Sequence, residues 1–347
     1  MDPSMKSNTS RNVPFVSVVI PTFNRSGYII NAIRSVTHQD YPVDRYEIIV
    51  VDNASTDDTP VKIQQLAKEL DHKYNFKYVI ESRKGLSFTR NTGAAHAVGS
   101  IFLFTDDDAT FDTNWISAIA DVYIDHPEVG AVGSKILIRW DHEPEPWVSQ
   151  YEGLLGRLDW TTKVVVAPGM ELFGGSLSVR RDIFFRVNGF NPGQVGEYLI
   201  GDCDTGICRK LANDGIPIGY TPLTTMWHLQ TVEKNANLKD LKRRFANCGI
   251  SDAYGATFYN WETNRVVTDF MDKTREVLSG FLINMKKKDA GSLHRYMVLD
   301  VTKYMYYLKY LVLYRFNRKL RRLINKKDWE FGSNYKIPPV EYQTSVK

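Results

Sequence analysis

Three adjacent carboxylates, Asp106-Asp107-Asp108, follow directly on the run Ile101-Phe102-Leu103-Phe104-Thr105. A short apolar run bounded by turn formers reads as a buried strand. Carboxylates this close repel one another by on the order of a few kcal/mol at a protein-like dielectric. A divalent cation with oxygen ligands would relieve that repulsion and leave positions for phosphate oxygens. In open α/β sheets, ligands bind beyond the carboxyl ends of the strands. The plainer reading is a solvated acidic turn.

Further polar stations stand at the ends of other apolar runs. Val16 to Ile20 leads into Pro21-Thr22-Phe23-Asn24-Arg25, whose amides and short side chains could hold a nucleotide. Tyr46 to Val51 ends at Asp52, which can accept hydrogen bonds from a base or ribose edge or serve simply as a turn residue. Lys77 to Ile80 leads into Arg83-Lys84-Gly85-Leu86-Ser87-Phe88-Thr89-Arg90-Asn91, a cationic turn entering a helix N-terminus. Such a turn suits an anion, although surface lysines and arginines are commonly just solvated.

The elements that carry these stations alternate. Strands at Val16–Ile20, Tyr46–Val51, Lys77–Ile80 and Ile101–Thr105 are separated by helical patterns at Tyr28–Thr37, from Thr59-Pro60 through Leu70, and at Leu86–Val98. Thr59-Pro60 supplies an N-cap with proline at the first helical position. That alternation argues a mainly parallel sheet flanked by helices. A long strand is predicted over Val129–Ile138, a loop over Trp140–Trp160, strand character over Leu172–Val179, a helix over Asp202–Asn213 and a short strand over Pro217–Tyr220. Helices then follow at Leu241–Tyr254, Asp272–Asn284 and Leu293–Ile324, with a boundary near residue 235. The expected organisation is a disordered tail over 1–12, a catalytic domain over 13–235, a basic helical region over 236–330 and a tail over 331–347.

Taken together, Val16 to Arg25, Val51-Asp52-Asn53-Ala54-Ser55-Thr56-Asp57, Gly85-Leu86-Ser87 with Arg90-Asn91-Thr92-Gly93, and Phe104 to Asp108 resemble the family 2 inverting glycosyltransferases of GT-A fold. The resemblance covers about residues 14–235. It implies an α/β, Rossmann-like GT-A sheet and a nucleotide-sugar donor, with Mn²⁺ or Mg²⁺ as cofactor. Asp106 and Asp108 then correspond to the DxD carboxylates that hold the metal, with Asp107 beside the donor. Pro21, Thr22, Asn24, Arg25 and Asp52 fall near the nucleoside. Arg83, Lys84, Arg90 and Asn91 fall near the nucleotide or diphosphate. Phe173-Gly174-Gly175-Ser176 resembles the glycine pair beside the donor sugar, where a missing side chain lets a sugar approach the backbone. His228 becomes a candidate third metal ligand; its plain reading is a histidine packed beside Trp227. The catalytic base falls within Gly201-Asp202-Cys203-Asp204. Counting back from Arg209 and Leu211 favours Asp204, with Cys203 where the family has Glu, whereas counting forward from Gly201 favours Asp202. Both could equally be helix N-terminal carboxylates favoured by the dipole. Trp140, Trp147, Trp160 and Trp227 could stack on sugars or simply pack.

Composition sets outer bounds. The 347 residues can bury a full core. No apolar run reaches the roughly eighteen residues of a transmembrane helix, and the polar N-terminal stretch lacks a signal-peptide core. Three cysteines without a CxxC pair fit a reducing compartment. The expected location is therefore the cytoplasm, peripheral on a membrane face in one reading. The net charge of +4 is uneven, because residues 286–327 hold thirteen Lys/Arg against two Asp. That region could meet anionic lipid, or it could be a helical cap with a basic solvent face. Nucleic-acid binding is disfavoured because no recognition motif accompanies the charge. The expected partners are a donor, UDP-linked by preference, and a glycan or lipid-linked acceptor. A nucleotidyltransferase would need a glycine-rich loop with Lys after the first strand, which Pro21 to Arg25 is not. A catalytically inactive, membrane-associated scaffold is the remaining class.

Overall fold

The computed structural model describes residues 13–70, 73–259, 263–287, 289–327 and 331. The tails expected over 1–12 and beyond 331 lie outside them. The first half follows the predicted alternation: β1 (Val16–Thr22), α1 (Ile29–Thr37), β2 (Tyr46–Asp52), α2 (Thr59–Leu70), β3 (Asn75–Ile80), α3 (Leu86–His96) and β4 (Ile101–Thr105). Every residue of β1, β2 and β4 is buried. Continuous apolar runs of that kind form where helices cover both faces of a parallel sheet. Helix α1 buries Ile29, Ala32, Ile33 and Val36, one face at helical spacing.

The chain continues through β5 (Ala109–Phe111), α4 (Trp115–Asp125), β6 (Ala131–Trp140), β7 (Val165–Ala167), β8 (Ser176–Arg180), α5 (Arg181–Arg186), the small hairpin β9 (Gln194–Val195) and β10 (Tyr198–Leu199), α6 (Asp204–Asn213) and β11 (Ile218–Gln230). One nine-stranded sheet runs in the order β3-β2-β1-β4-β8-β6-β11-β5, with β7 on β11. Pairings among β1 to β4 and between β6 and β11 are parallel. Strand β8 is antiparallel to both β4 and β6 and joins the two halves. Register sets Thr22 opposite Asp52 and Asp52 opposite Ile80, so the first three strands end in line.

Two expectations in the middle of the chain need correction. The strand expected over Pro217–Tyr220 runs on to Gln230, because Pro222 falls at a register break between Thr221 and Thr225. A proline at a bulge costs no ladder bond. The loop expected over Trp140–Trp160 contains a 3₁₀ segment, Pro146–Leu155, that buries Val148 and Leu155.

The remainder is helical: α7 (Val232–Asn235), α8 (Leu238–Phe258), α9 (Thr263–Lys286), α10 (Ala290–Phe316) and α11 (Arg318–Lys326). The single helix expected over Leu293–Ile324 is two. Asn317 separates them, its side chain accepting the Leu320 amide as an N-cap. Ile250, Tyr254, Tyr307, Tyr310, Tyr314, Leu320 and Ile324 form a core between α8, α10 and α11. Trp140, Trp147 and Tyr151 pack with Leu241, Phe245 and Leu299 in another.

Helices α8 and α10 meet backbone to backbone at Gly249, where a Cβ would overlap the Lys303 carbonyl oxygen. Gly249→Ala gains up to about 1 kcal/mol in helix propensity. The clash with main chain outweighs it, at about 1–3 kcal/mol for overpacking. The variant is expected to melt below the wild type in a thermal unfolding experiment. An unchanged midpoint would mean that the two helices separate without cost.

Candidate active site

Main-chain pairing assembles the acidic cluster. Asp106-Asp107-Asp108 bridges β4 and β5. Strand β11 pairs antiparallel with β5 in the register His228 to Ala109. The Leu229 amide donates to the Asp108 carbonyl at 2.9 Å, and the His228 ring Nε2 lies 3.2 Å from Asp108 Oδ1. The candidate ligand atoms of Asp106, Asp108 and His228 lie within 4.8 Å of one another. Two carboxylates and an imidazole in that span suit a divalent ion, so the donor set fits the expected cofactor.

Each carboxylate has its own compensation. Arg90 donates to Asp106 Oδ1 at 2.9 Å. Thr22 donates to Asp107 Oδ2 at 2.7 Å. The Arg25 guanidinium lies 3.6 Å from Asp108 and 3.9 Å from Asp107. Burial pushes the Asp107 carboxyl up to about 7, with Asp108 and Asp106 adding to the effect against Thr22 and Arg25. Burial acts on Asp108 in the same direction, but His228 and Arg25 prevail and hold it below the usual carboxylate range. His228 is correspondingly raised, its hydrogen bond and charge pairing with Asp108 overcoming burial.

Two clefts meet at this cluster. The larger, of about 820 Å³, is lined by Pro21, Thr22, Arg25, Lys84, Asp106, Asp107, Asp108 and His228 together with Lys234, Arg243 and Arg244. The smaller, of about 450 Å³, is lined by Gly174, Gly175, Asp204, Arg209, Cys248, Ser251 and Lys303, and shares Asp106, His228 and Arg244 with the first. Gly174-Gly175 lies beside Asp106 in the smaller cleft because β8 pairs with β4 in the register Ser176 to Thr105. A Cβ on Gly174 would run into the Arg90 guanidinium, and one on Gly175 would approach Met226 and Asp106. The Gly174 amide donates to Asp204 Oδ2 at 2.7 Å and the Thr205 amide to Oδ1 at 3.1 Å, which orients the carboxylate at the start of α6.

Other expected residues serve the scaffold. Asp202 is fully buried, accepting from Arg209 at 2.9 Å, Asn191 at 3.0 Å and Tyr259 at 2.7 Å. Enclosed in this way, it lines neither cleft. Asn91 clamps the Phe190 main chain through both ends of its amide, at 2.9 Å each, rather than facing a nucleotide. Arg83 is turned onto the buried Glu81 and over the Phe88 ring, leaving Lys84 as the cation of that turn in the cleft. Arg90 lies buried beneath Gly174 between Asp106 and the Cys203 sulfur, not beside the open cleft. Asp52 is buried, its carboxylate taken by Ser55 and by the Tyr78 hydroxyl. Asn24, in a left-handed conformation at φ 52, ties its loop to Thr56 at 2.8 Å. Trp140 and Trp147 pack in the helical core, Trp160 lies against Tyr220, and Trp227 donates to Asp112.

Sequence reasoning missed Lys234, Arg243 and Arg244. Arg244 lines both clefts, donates to Asn235 Oδ1 at 2.9 Å, and has a buried Nε without a partner. These residues stand at or beyond the boundary expected near residue 235, in a segment where no motif marks them. The clefts therefore draw on both sides of that boundary.

Residues 17–190 match the family described as Glycosyl transferase family 2. A glucosyl-dolichyl phosphate glucuronosyltransferase of Haloferax volcanii is 24% identical over 201 residues, covering 56% of this chain and 63% of that protein. A dolichyl N-acetyl-alpha-D-glucosaminyl phosphate 3-beta-D-2,3-diacetamido-2,3-dideoxy-beta-D-glucuronosyltransferase of Methanococcus voltae is 34% identical over 130 residues, covering 35% of this chain and 39% of that one. The chain thus spans less than two thirds of the length of either curated relative. Among solved structures, a mannosyltransferase from Pyrobaculum calidifontis in complex with GDP-Man and Mn²⁺ superposes with a TM-score of 0.57 at 21% identity, covering 88% of each chain. At that identity the likeness speaks for the fold, which is GT-A.

The enclosure of Asp202 yields a stability test. Asp202→Ala takes one charge partner from Arg209, which keeps Glu171, Asp252 and the Ser251 carbonyl, and removes the carboxylate acceptor of the Asn191 and Tyr259 donors. An unsatisfied buried polar group costs about 1–3 kcal/mol. A large drop in chemical-denaturation midpoint is expected. A midpoint within error of the wild type would refute the structural role.

Proposed function

This chain belongs to glycosyl transferase family 2, and we propose that it moves a sugar from a nucleotide-sugar donor, UDP-linked by preference, to a hydroxyl of a glycan or lipid-linked acceptor. Such a hexosyl or N-acetylhexosaminyl transfer would serve the synthesis of a polysaccharide, a glycolipid or a cell-surface glycan. The observation that carries this reading is the meeting of two clefts at Asp106 and His228, with Asp204 and Gly174-Gly175 lining the smaller one. Residues 13–235 supply the GT-A sheet, and the helical region that follows completes the clefts.

The larger cleft takes the nucleotide. Pro21, Thr22, Arg25 and Asn53 line its nucleoside side, while Lys84, Arg243 and Arg244 bring cations to the diphosphate. A divalent ion, Mn²⁺ or Mg²⁺, held by Asp106, Asp108 and His228 would supply charge neutralisation for the departing diphosphate. Buried Arg90 fixes the Asp106 carboxylate in place and keeps the junction compact under Gly174. Gly174 and Gly175 leave room for Arg90, Met226 and Asp106 to pack beneath the donor sugar's end of the site.

The smaller cleft takes the acceptor. Asp204 is the general base: a carboxylate offers about four acceptor positions, and the amides of Gly174 and Thr205 occupy only two. A free lone pair then removes the proton from an acceptor hydroxyl as its oxygen attacks the anomeric carbon. The bond to the diphosphate breaks on the opposite face. One displacement inverts the anomeric configuration, so an α-linked donor yields a β-linked product. Asp202, two residues earlier, holds the turn that presents Asp204.

Two measurements test the reading. In a panel of UDP-, GDP- and dTDP-sugars with Mn²⁺, Mg²⁺ or EDTA, one nucleoside diphosphate is expected to be released in a metal-dependent way, and Asp108→Ala is expected to abolish that release. No turnover and no metal-dependent nucleotide binding would favour an inactive scaffold. Asp204→Asn is expected to lower transfer by about 10²–10⁴-fold, the usual worth of a positioned base, with donor binding nearly intact. Equal loss of both would remove Asp204 from the base role.

A further inference from the structure

The outward faces of α9 and α10 are apolar where solvent-facing helices are polar. On α10 the inward side is Leu299, Tyr307, Tyr310 and Tyr314, all buried against α8 and its neighbours. On the opposite side Met297, Met305, Val312 and Phe316 follow one another at helical spacing and are 44%, 58%, 58% and 75% exposed. On α9, Leu278, Leu282 and Met285 repeat the arrangement, each more than half exposed. Contiguous exposed apolar surface of this kind marks an interaction site.

The charge beside it selects the occupant. Lys309 stands within the α10 stripe, between Met305 and Val312, with its ammonium 5.5 Å from the Tyr306 ring centre. Helix α11 buries Leu320 and Ile324 and exposes Arg318, Arg321, Arg322 and Lys326. Between residues 290 and 327 the sole acid is Asp300, which is partly buried. A second copy of this chain would bring the same cations to the contact and be repelled. A layer of anionic headgroups over an apolar interior complements both features at once.

We propose that the outer faces of α9 and α10, together with the cationic face of α11, dock on an anionic lipid bilayer. The helices lie in the plane of the interface. Met297, Met305, Val312 and Phe316 enter the boundary between headgroups and acyl chains, and the α11 arginines meet the headgroups. Lys309 extends its ammonium toward the headgroup layer while its methylenes stay with the apolar groups. Among the described residues no helix is long and apolar enough to cross a membrane, and this contact needs none. It also requires neither donor nor acceptor, so it stands or falls apart from the transferase reading.

Flotation of the full chain with vesicles tests the proposal. The chain is expected to float with phosphatidylcholine vesicles containing about 30% phosphatidylglycerol and to remain in the pellet with phosphatidylcholine alone, because the cations need anionic headgroups. High salt and the Arg321→Glu/Arg322→Glu variant are each expected to lower partitioning about tenfold or more. The Met305→Ser/Val312→Ser variant is expected to weaken it while leaving its salt dependence in place. Absence of binding to anionic vesicles would overturn the proposal, as would binding that neither variant changes. Self-association abolished by Met305→Ser/Val312→Ser, with no vesicle binding, would instead assign the stripe to a second copy.

Discussion

Three carboxylates at the end of one buried strand are the constraint from which the rest of this site follows. Each must find positive charge or a donor, and each finds it on a different element. Arg90 comes from α3, Thr22 and Arg25 from the end of β1, and His228 from β11. Satisfying the repulsion therefore fixes the relative positions of four elements. It also dictates the glycines, because a fully buried guanidinium beneath residue 174 leaves no room there for a Cβ. The amide of Gly174 is then the donor that orients Asp204. One electrostatic problem thus places both the proposed metal-binding face and the proposed base.

A second set of charges ties the helical region to this centre. Arg209 on α6 bonds to Asp202 and the Ser251 carbonyl and lies 3.4 Å from Glu171 and 3.6 Å from Asp252. Asp252 on α8 pairs with Lys273 of α9 at 3.0 Å and Lys303 of α10 at 3.2 Å. Burial pushes the Asp252 carboxyl up, but Lys303 and Lys273 more than offset that and hold it below the usual carboxylate range. Buried pairs of this sort add little net stability, yet removing one partner is costly. Their effect is registration: the turn that presents Asp204 is held against the helices that wall the smaller cleft.

The sheet was legible because its signals are local. Continuous apolar runs ending in polar residues identify β1, β2 and β4 without help from the rest of the chain, and Thr59-Pro60 announces α2. Asp106, Asp108, Gly174-Gly175 and the pair Asp202 and Asp204 could be singled out as candidates for a related reason, since each sits at or beside an element boundary where its residue type is conspicuous. Only the fold separates the sealed Asp202 from the cleft-lining Asp204. Legibility failed where three-dimensional pairing decides the outcome. Nothing adjacent in sequence says that Arg83 turns onto Glu81, that Asn91 clamps Phe190, or that Asp202 is sealed by Tyr259, fifty-seven positions away. Arg244 escaped notice because an arginine on an amphipathic helix resembles any solvated charge until the fold brings it between two clefts. Pro222 misled by seeming to stop a strand that merely bulges around it. Arg90 meets the Cys203 sulfur on one side, so Asp106 is that guanidinium's sole carboxylate hydrogen-bond partner among the described residues.

The backbone contact at Gly249 has a consequence for distance. Helix α8 carries Cys248 and Ser251 into the smaller cleft, and α10 carries Lys303 there from its inward side, with Met305 two residues on facing away. Because main chain touches main chain at Gly249, the two helices cannot close further at that point, and the side chains packed on either side of it cannot change their spacing there. A helix is about 10–12 Å across with its side chains. The fold therefore acts as a spacer of fixed gauge: whatever flat surface meets Met305 lies roughly one helix diameter from the cleft. Any acceptor anchored in that surface would be measured by length before it is read by chemistry.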